Sequence, residues 1–156
     1  MSGWADSPAP ALEAAFADIA RTRMADVPLC NPALQVEAVG FRALPDGHWL
    51  GVMVTPWAIN LMRLPGTGAG WPETRAGGRH LWSLASGDYE FTVAEEDRLG
   101  VYHLCSLFSP ALEFPDHAQA RLTALAAVQA VHGAPLDVPA PAARPTGRRA
   151  FLGLGR

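Results

Sequence analysis

The 156-residue chain contains no lysine, and all twelve of its basic residues are arginine. Acid is missing from its end: residues 1–143 hold 8 arginines against 15 acids, net −7, whereas residues 144–156 hold 4 arginines and no acid, net +4. An acidic body excludes nucleic acid as the main partner, because binding a phosphate backbone needs clustered cations on the folded surface. Cysteine is nearly absent. Cys30 and Cys105 form no CxxC pair and no Cys/His cluster, so no zinc or iron–sulfur signature exists and neither metal nor cofactor is expected. Two free thiols fit a reducing compartment. No basic residue precedes Arg21 and no apolar run opens the chain, which gives no cleavable secretory signal and a cytoplasmic expectation. Residues 49–62 are uncharged but broken by Pro56 and Asn60, short of the roughly twenty apolar residues of a membrane span, so no membrane insertion is expected.

What is present is enough apolar sequence, 49% against 17% charged, to bury a core in one domain. Residues 1–8 are small and polar and are expected to fray. Over residues 9–24, Leu12, Phe16, Ile19 and Ala20 share one helical face, with Ser7-Pro8 as a start signal and Val27-Pro28 as a stop. Residues 34–43 and 49–55 are strand-like and flank Pro45-Asp46-Gly47, a turn in which proline presets φ and glycine accepts a positive one. The second of these strands is apolar on both faces and should be covered on both. A long Gly/Pro/Thr-rich loop around Trp71 follows, then a second hairpin (residues 80–84 and 89–94), a turn at residues 95–98 and a strand at 101–107. Asp116 and Gln119 resemble a capping box opening a helix that runs to His132, with Gly133 as its C-cap. Residues 134–156 begin rich in proline and alanine and read as linker and basic tail. The expectation is an α+β domain over residues 9–133: about five antiparallel strands in a meander of hairpins, with an N-terminal and a C-terminal helix packed on one face.

Catalytic patterns are weak. His48, His80, His103, His117 and His132 show neither HxxxH nor HExxH spacing, and no GxSxG elbow surrounds Ser106 or Ser109. His103 and Cys105, two apart on one strand, share a face and could form a thiol–base pair, which keeps a small thiol-dependent or hydrolytic enzyme as an alternative. Two segments differ from ordinary core. Thr55, Pro56, Trp57, Asn60, Leu61 and Met62 lie on a turn or short helix where a strand ends; Cys105, Phe108, Ser109, Pro110 and Phe114 lie where another strand runs out. Such loops either cap the sheet or line an apolar groove that binds peptides or small ligands.

The segments Cys30-Asn31-Pro32, Thr55-Pro56-Trp57-Ala58-Ile59-Asn60-Leu61-Met62, Gly87-Asp88-Tyr89-Glu90-Phe91 and Cys105-Ser106-Leu107-Phe108-Ser109-Pro110 resemble the HybE/HupJ family of [NiFe]-hydrogenase assembly chaperones. The resemblance implies a non-enzymatic cytoplasmic accessory protein with no cofactor of its own. Its implied client is the hydrogenase small-subunit precursor, including the twin-arginine export signal. The resemblance carries over no catalytic residues, so the expected client-binding residues rest on the two strand-end segments at 55–62 and 105–114. It also implies rubredoxin-like and other hydrogenase accessory proteins as partners; because the chain has no CxxC pair, any rubredoxin must be a separate protein. A scaffold that bridges such factors without touching the client is a further alternative.

The tail has a pattern of its own. Thr146-Gly147-Arg148-Arg149-Ala150-Phe151-Leu152 is close to a twin-arginine signal but lacks the apolar stretch that follows in one. Arg148, Arg149, Phe151 and Leu152 are therefore read as a pseudo-ligand that mimics the client's signal, against the alternative of a basic tail without a specific partner.

Overall fold

In the computed structural model, which describes residues 3–133, the chain runs α1 (Ala9–Arg21), β1 (Glu37–Ala43), β2 (Trp49–Val54), β3 (Ile59–Leu64), β4 (Arg79–Leu84), β5 (Gly87–Glu96), β6 (Gly100–Phe108) and α2 (His117–His132). The strands form one antiparallel sheet in the order β1-β2-β3-β6-β5-β4. Two three-stranded meanders are thus joined side by side through their last strands, and the architecture is α+β.

The strand beyond the expected five is β3. The sequence pattern places its residues on a turn or short helix, but the turn is confined to residues 55–58. There Thr55 N–H donates to Ala58 O (2.9 Å), and the Thr55 hydroxyl oxygen accepts from Ala58 N–H (3.0 Å). This closes the reversal and sends the chain back along β2, pairing Val54 with Ile59 and Trp49 with Leu64.

The two helices cover opposite faces of the sheet, not one face. Leu50, Val52, Val54, Ile59 and Leu61 pack with Ala120, Ala124, Val128 and Val131 of α2. Met53, Met62 and Leu64 point the other way and pack with Leu12, Ala15 and Phe16 of α1. The reason lies in β2 and β3, which are apolar at every position but Asn60 and Arg63. Two apolar faces each need a cover, since burial contributes roughly 25 cal/mol per Å² of apolar surface removed from water.

Each helix is fixed by local chemistry. Asp116 Oδ1 caps α2 by accepting from Gln119 N–H (2.9 Å), and Gly133 ends it at φ 75°, as the sequence suggested. His117 and Arg121 both donate to Glu37 of β1, and His132 Nε2 donates to Leu50 O. Helix α1 ends at Arg21, three residues before the expected end at Met24, where the Thr22 hydroxyl bonds back to Asp18 O (2.7 Å). Residues 3–8, expected to fray, are tied down: Trp4 N–H donates to Pro65 O (2.8 Å), Trp4 O accepts from Trp49 Nε1 (2.9 Å), and Pro8 is buried. Residues 134–156, and with them Arg148, Arg149, Phe151 and Leu152, lie outside the described residues.

Candidate functional site

The two segments singled out in the sequence meet at one end of the sheet, joined by a buried asparagine. Asn31 is 6% exposed. Its N–H donates to Pro56 O (2.7 Å), its Nδ2 donates to Ala111 O (3.0 Å) and Phe114 O (2.9 Å), and its Oδ1 accepts from Ala33 N–H (3.0 Å). One side chain and its own amide thereby hold together three loops: the α1–β1 connection that carries Asn31, the β2–β3 turn and the segment after β6. Phe108 and Phe114 pack edge to face at 5.1 Å on the α2 side of the sheet, and Trp57 lies 6.4 Å from Phe16 on the α1 side. Two of the large apolar residues most open to water stand on these loops, Leu29 (52% exposed) and Leu112 (48%). Exposed apolar groups gathered at one place mark interaction surfaces, whereas single ones do not.

The predicted residues sort by depth. Pro56, Trp57, Phe108 and Phe114 are half-buried and Ser109 and Pro110 exposed, so these six form surface at the loop end. Thr55, Leu61 and Met62 are at most 1% exposed; they are core residues and offer a partner nothing. For Leu61 and Met62 the correction follows from β3 being a strand covered on both faces, and for Thr55 from its hydroxyl closing the buried β2–β3 turn. Asn60 and Cys105 are half-buried on opposite faces of the sheet. Sequence reading passed over Asn31, Leu29 and Leu112. Cys30-Asn31-Pro32 was the only signal for the first, and nothing local told that its amide is an internal hub.

The opposite end holds a polar and aromatic centre that residue spacing did not disclose. Arg63, 1% exposed, donates through Nη1 and Nη2 to both oxygens of Asp46 (3.0 Å each), through Nη2 to His48 O (3.1 Å) and through Nε to Trp49 O (3.3 Å). Its guanidinium lies 4.3 Å from the centre of a Trp82 ring. Burial pushes the Asp46 carboxyl up, but the Arg63 hydrogen bonds, the His48 backbone N–H and the Arg63 charge together outweigh this and hold it below the usual range. The loop around Trp71 closes over this centre. His48 Nδ1 accepts from Gly66 N–H (2.9 Å) and its Nε2 donates to Ala69 O (3.2 Å), while Trp71 packs 4.6 Å from His103 and 5.1 Å from His48.

This geometry disposes of the thiol–base pair. His103 Nδ1 accepts from Trp82 Nε1–H (2.9 Å), so its proton sits on Nε2, 3.1 Å from the Thr74 hydroxyl. Both ring nitrogens are occupied by groups other than Cys105. Burial, and then the charge of Glu90, raises the Cys105 thiol, the reverse of what an activated thiolate needs.

The same centre is expected to make the protein acid-sensitive. Burial first, then the neighbouring His80 and Arg63, push His103 down from 6.5 to about 4. An unfolded chain therefore takes up a proton near pH 6.5 that the folded one refuses until about pH 4. Stability from this group is full above pH 6.5 and declines as pH falls to 4, by about 3 kcal/mol in total. Urea unfolding at pH 7.5 and 4.5 should show a loss that shrinks by most of that amount in a His103→Asn variant; an equal pH loss in both proteins would locate the sensitivity elsewhere.

Fold and loops together define the class: a small α+β protein whose buried histidine and arginine serve its own structure and whose loops at one end of the sheet carry part of its exposed apolar surface. A family model described as [NiFe]-hydrogenase assembly, chaperone, HybE matches residues 7–154, and the chain belongs to that family. Protein HoxT of Cupriavidus necator is 41% identical over 154 residues, covering 90% of this chain and 85% of HoxT. The hydrogenase-2 operon protein HybE of Escherichia coli K12 is 34% identical over 110 residues, 70% of this chain and 67% of HybE. The solution structure of HybE from Escherichia coli superposes with a TM-score of 0.71 at 30% identity, covering 100% of this chain and 94% of that one. The chain is an accessory chaperone of [NiFe]-hydrogenase maturation.

Proposed function

We propose that this chaperone binds the immature hydrogenase small subunit, with its twin-arginine signal, in the cytoplasm and delays premature export. It acts by binding, not by catalysis. The observation that carries this reading is the Asn31 hub, which presents Trp57, Phe108, Pro110 and Phe114 together with exposed Leu29 and Leu112 at one end of the sheet. Such a surface takes an apolar segment that an unfinished client has not yet buried. Charge supports the signal's part: residues 3–133 hold 8 arginines and 14 acids, so the body attracts a basic segment. Rubredoxin-like partners fit as separate proteins. The probable rubredoxin HupJ of Rhodobacter capsulatus matches 74% of this chain over only 41% of its own length, and this chain carries no CxxC pair. No helix among the described residues is long and apolar enough to cross a membrane.

A pull-down of the full chain from hydrogenase-expressing cells should bring down the small-subunit precursor with its signal uncut. Recovery of other accessory proteins without the precursor would replace the client reading by a scaffold. The tail enters as a competitor. A tethered segment reaches an effective concentration in the millimolar range when its length matches the span, so Arg148, Arg149, Phe151 and Leu152 can occupy the place of the client's signal. A chain ending at Ala143 is then expected to bind a signal peptide more tightly than the full chain in a titration, and equal affinities would remove the mimicry.

A further inference from the structure

Asn60 is the one amide in a strand otherwise made of Ile59, Leu61, Met62, Arg63 and Leu64. Its Oδ1 is buried without a hydrogen-bond partner, and no other buried side-chain nitrogen or oxygen among the described residues stands in that position. An orphaned acceptor costs free energy that an apolar side chain of the same size would avoid. The backbone is irregular at the same place: the β3–β6 register slips between Ile59 and Asn60, leaving Leu107 as the additional residue. Bulges of this kind re-aim side chains next to functional sites. Asn60 faces the α1 side, between Met53 on β2 and Ser106 on β6, the side on which Trp57 packs. Ser106 is exposed and Asn60 as a whole only half-buried, and an asparagine amide turns about χ2 with broad freedom. The acceptor can therefore meet a partner without movement of the strand.

We propose that Asn60 Oδ1 is the acceptor kept for an N–H donor of the bound client segment, which lies against Trp57 and the Ser106 hydroxyl. This deepens, and rests on, the reading of the loop end as the client-binding surface. Satisfying the orphan in the complex adds affinity and makes recognition depend on a polar group that a purely greasy surface lacks.

The test compares the full chain with Asn60→Leu, reading thermal midpoint and affinity for the purified small-subunit precursor. The substitution is expected to raise the midpoint while weakening binding roughly tenfold, and Asn60→Ala should weaken binding as much, which guards against a clash made by leucine. A lowered midpoint with unchanged affinity would show a structural amide and overturn the assignment. Wild-type protein that binds no precursor at all would instead overturn the client reading beneath it. Replacing the precursor's arginines by glutamine identifies the donor. Losses that do not add to that of Asn60→Leu point to a guanidinium, and losses that add point to a main-chain N–H.

Discussion

An Asp46→Ala variant is expected to lose about 3–5 kcal/mol of stability, although Asp46 sits in a turn with its side chain 40% exposed. Its partner, not its own position, sets the cost. Arg63 is buried, and Asp46 supplies both oxygens of its bidentate pair. Without them a guanidinium remains inside the protein with only two backbone carbonyls and the face of Trp82 to compensate it. Asp46 Oδ1 also accepts from His48 N–H (2.9 Å), so the turn loosens too. An exposed ion pair contributes about 0–1 kcal/mol, and a loss of that size in chemical denaturation would mean that Arg63 finds water. The double variant Asp46→Ala/Arg63→Met should recover much of the loss, because a neutral side chain of similar reach packs against Trp82 with no charge to satisfy.

That centre shows where the sequence stops being legible. Pro45-Asp46-Gly47 announces its turn, and Asp116 with Gln119 announces a helix start, because the physics there acts between neighbours. The pair of Asp46 with Arg63, and the ring packing of Trp71 with His103, join residues far apart in the chain; no spacing rule reaches them. Arg63 reads as a surface residue until Asp46 is brought to it. β3 was hidden for a different reason. A short run apolar on both faces has no period, so strand and buried helix cannot be told apart without the strand beside it. The order helix, strands, helix suggests an α+β layering with both helices on one face. Yet the apolar pattern of β2 already required two covers, and Met53 of that strand is buried beneath α1.

The loop end was partly legible. Trp57, Phe108 and Phe114 stand out by type, and the strand ends placed them on loops. What could not be read was the hub that joins them, since asparagine is ordinarily an exposed turn residue. Leu29 and Leu112 look like core leucines in the sequence and become informative only when seen exposed on the loops that Asn31 ties together.

Those two leucines are expected to carry the largest functional effect. A Leu29→Asp/Leu112→Asp variant is expected to fold with nearly wild-type stability, because neither side chain is part of the buried core. Its affinity for the small-subunit precursor should fall about 100-fold or more. Full burial of one leucine contributes about 1.5–3 kcal/mol, and each introduced carboxylate must also be desolvated against an apolar client segment. The molecule supplies its own control. Leu81 on β4 and Leu122 on α2 are 58% and 59% exposed, at least as open to water, but stand outside the loops held by Asn31. Leu81→Asp/Leu122→Asp should bind the precursor like wild type. Were both double variants to lose affinity equally, general surface hydrophobicity would account for binding. Only a loss confined to Leu29 and Leu112 identifies the loop end as the place where the client is held.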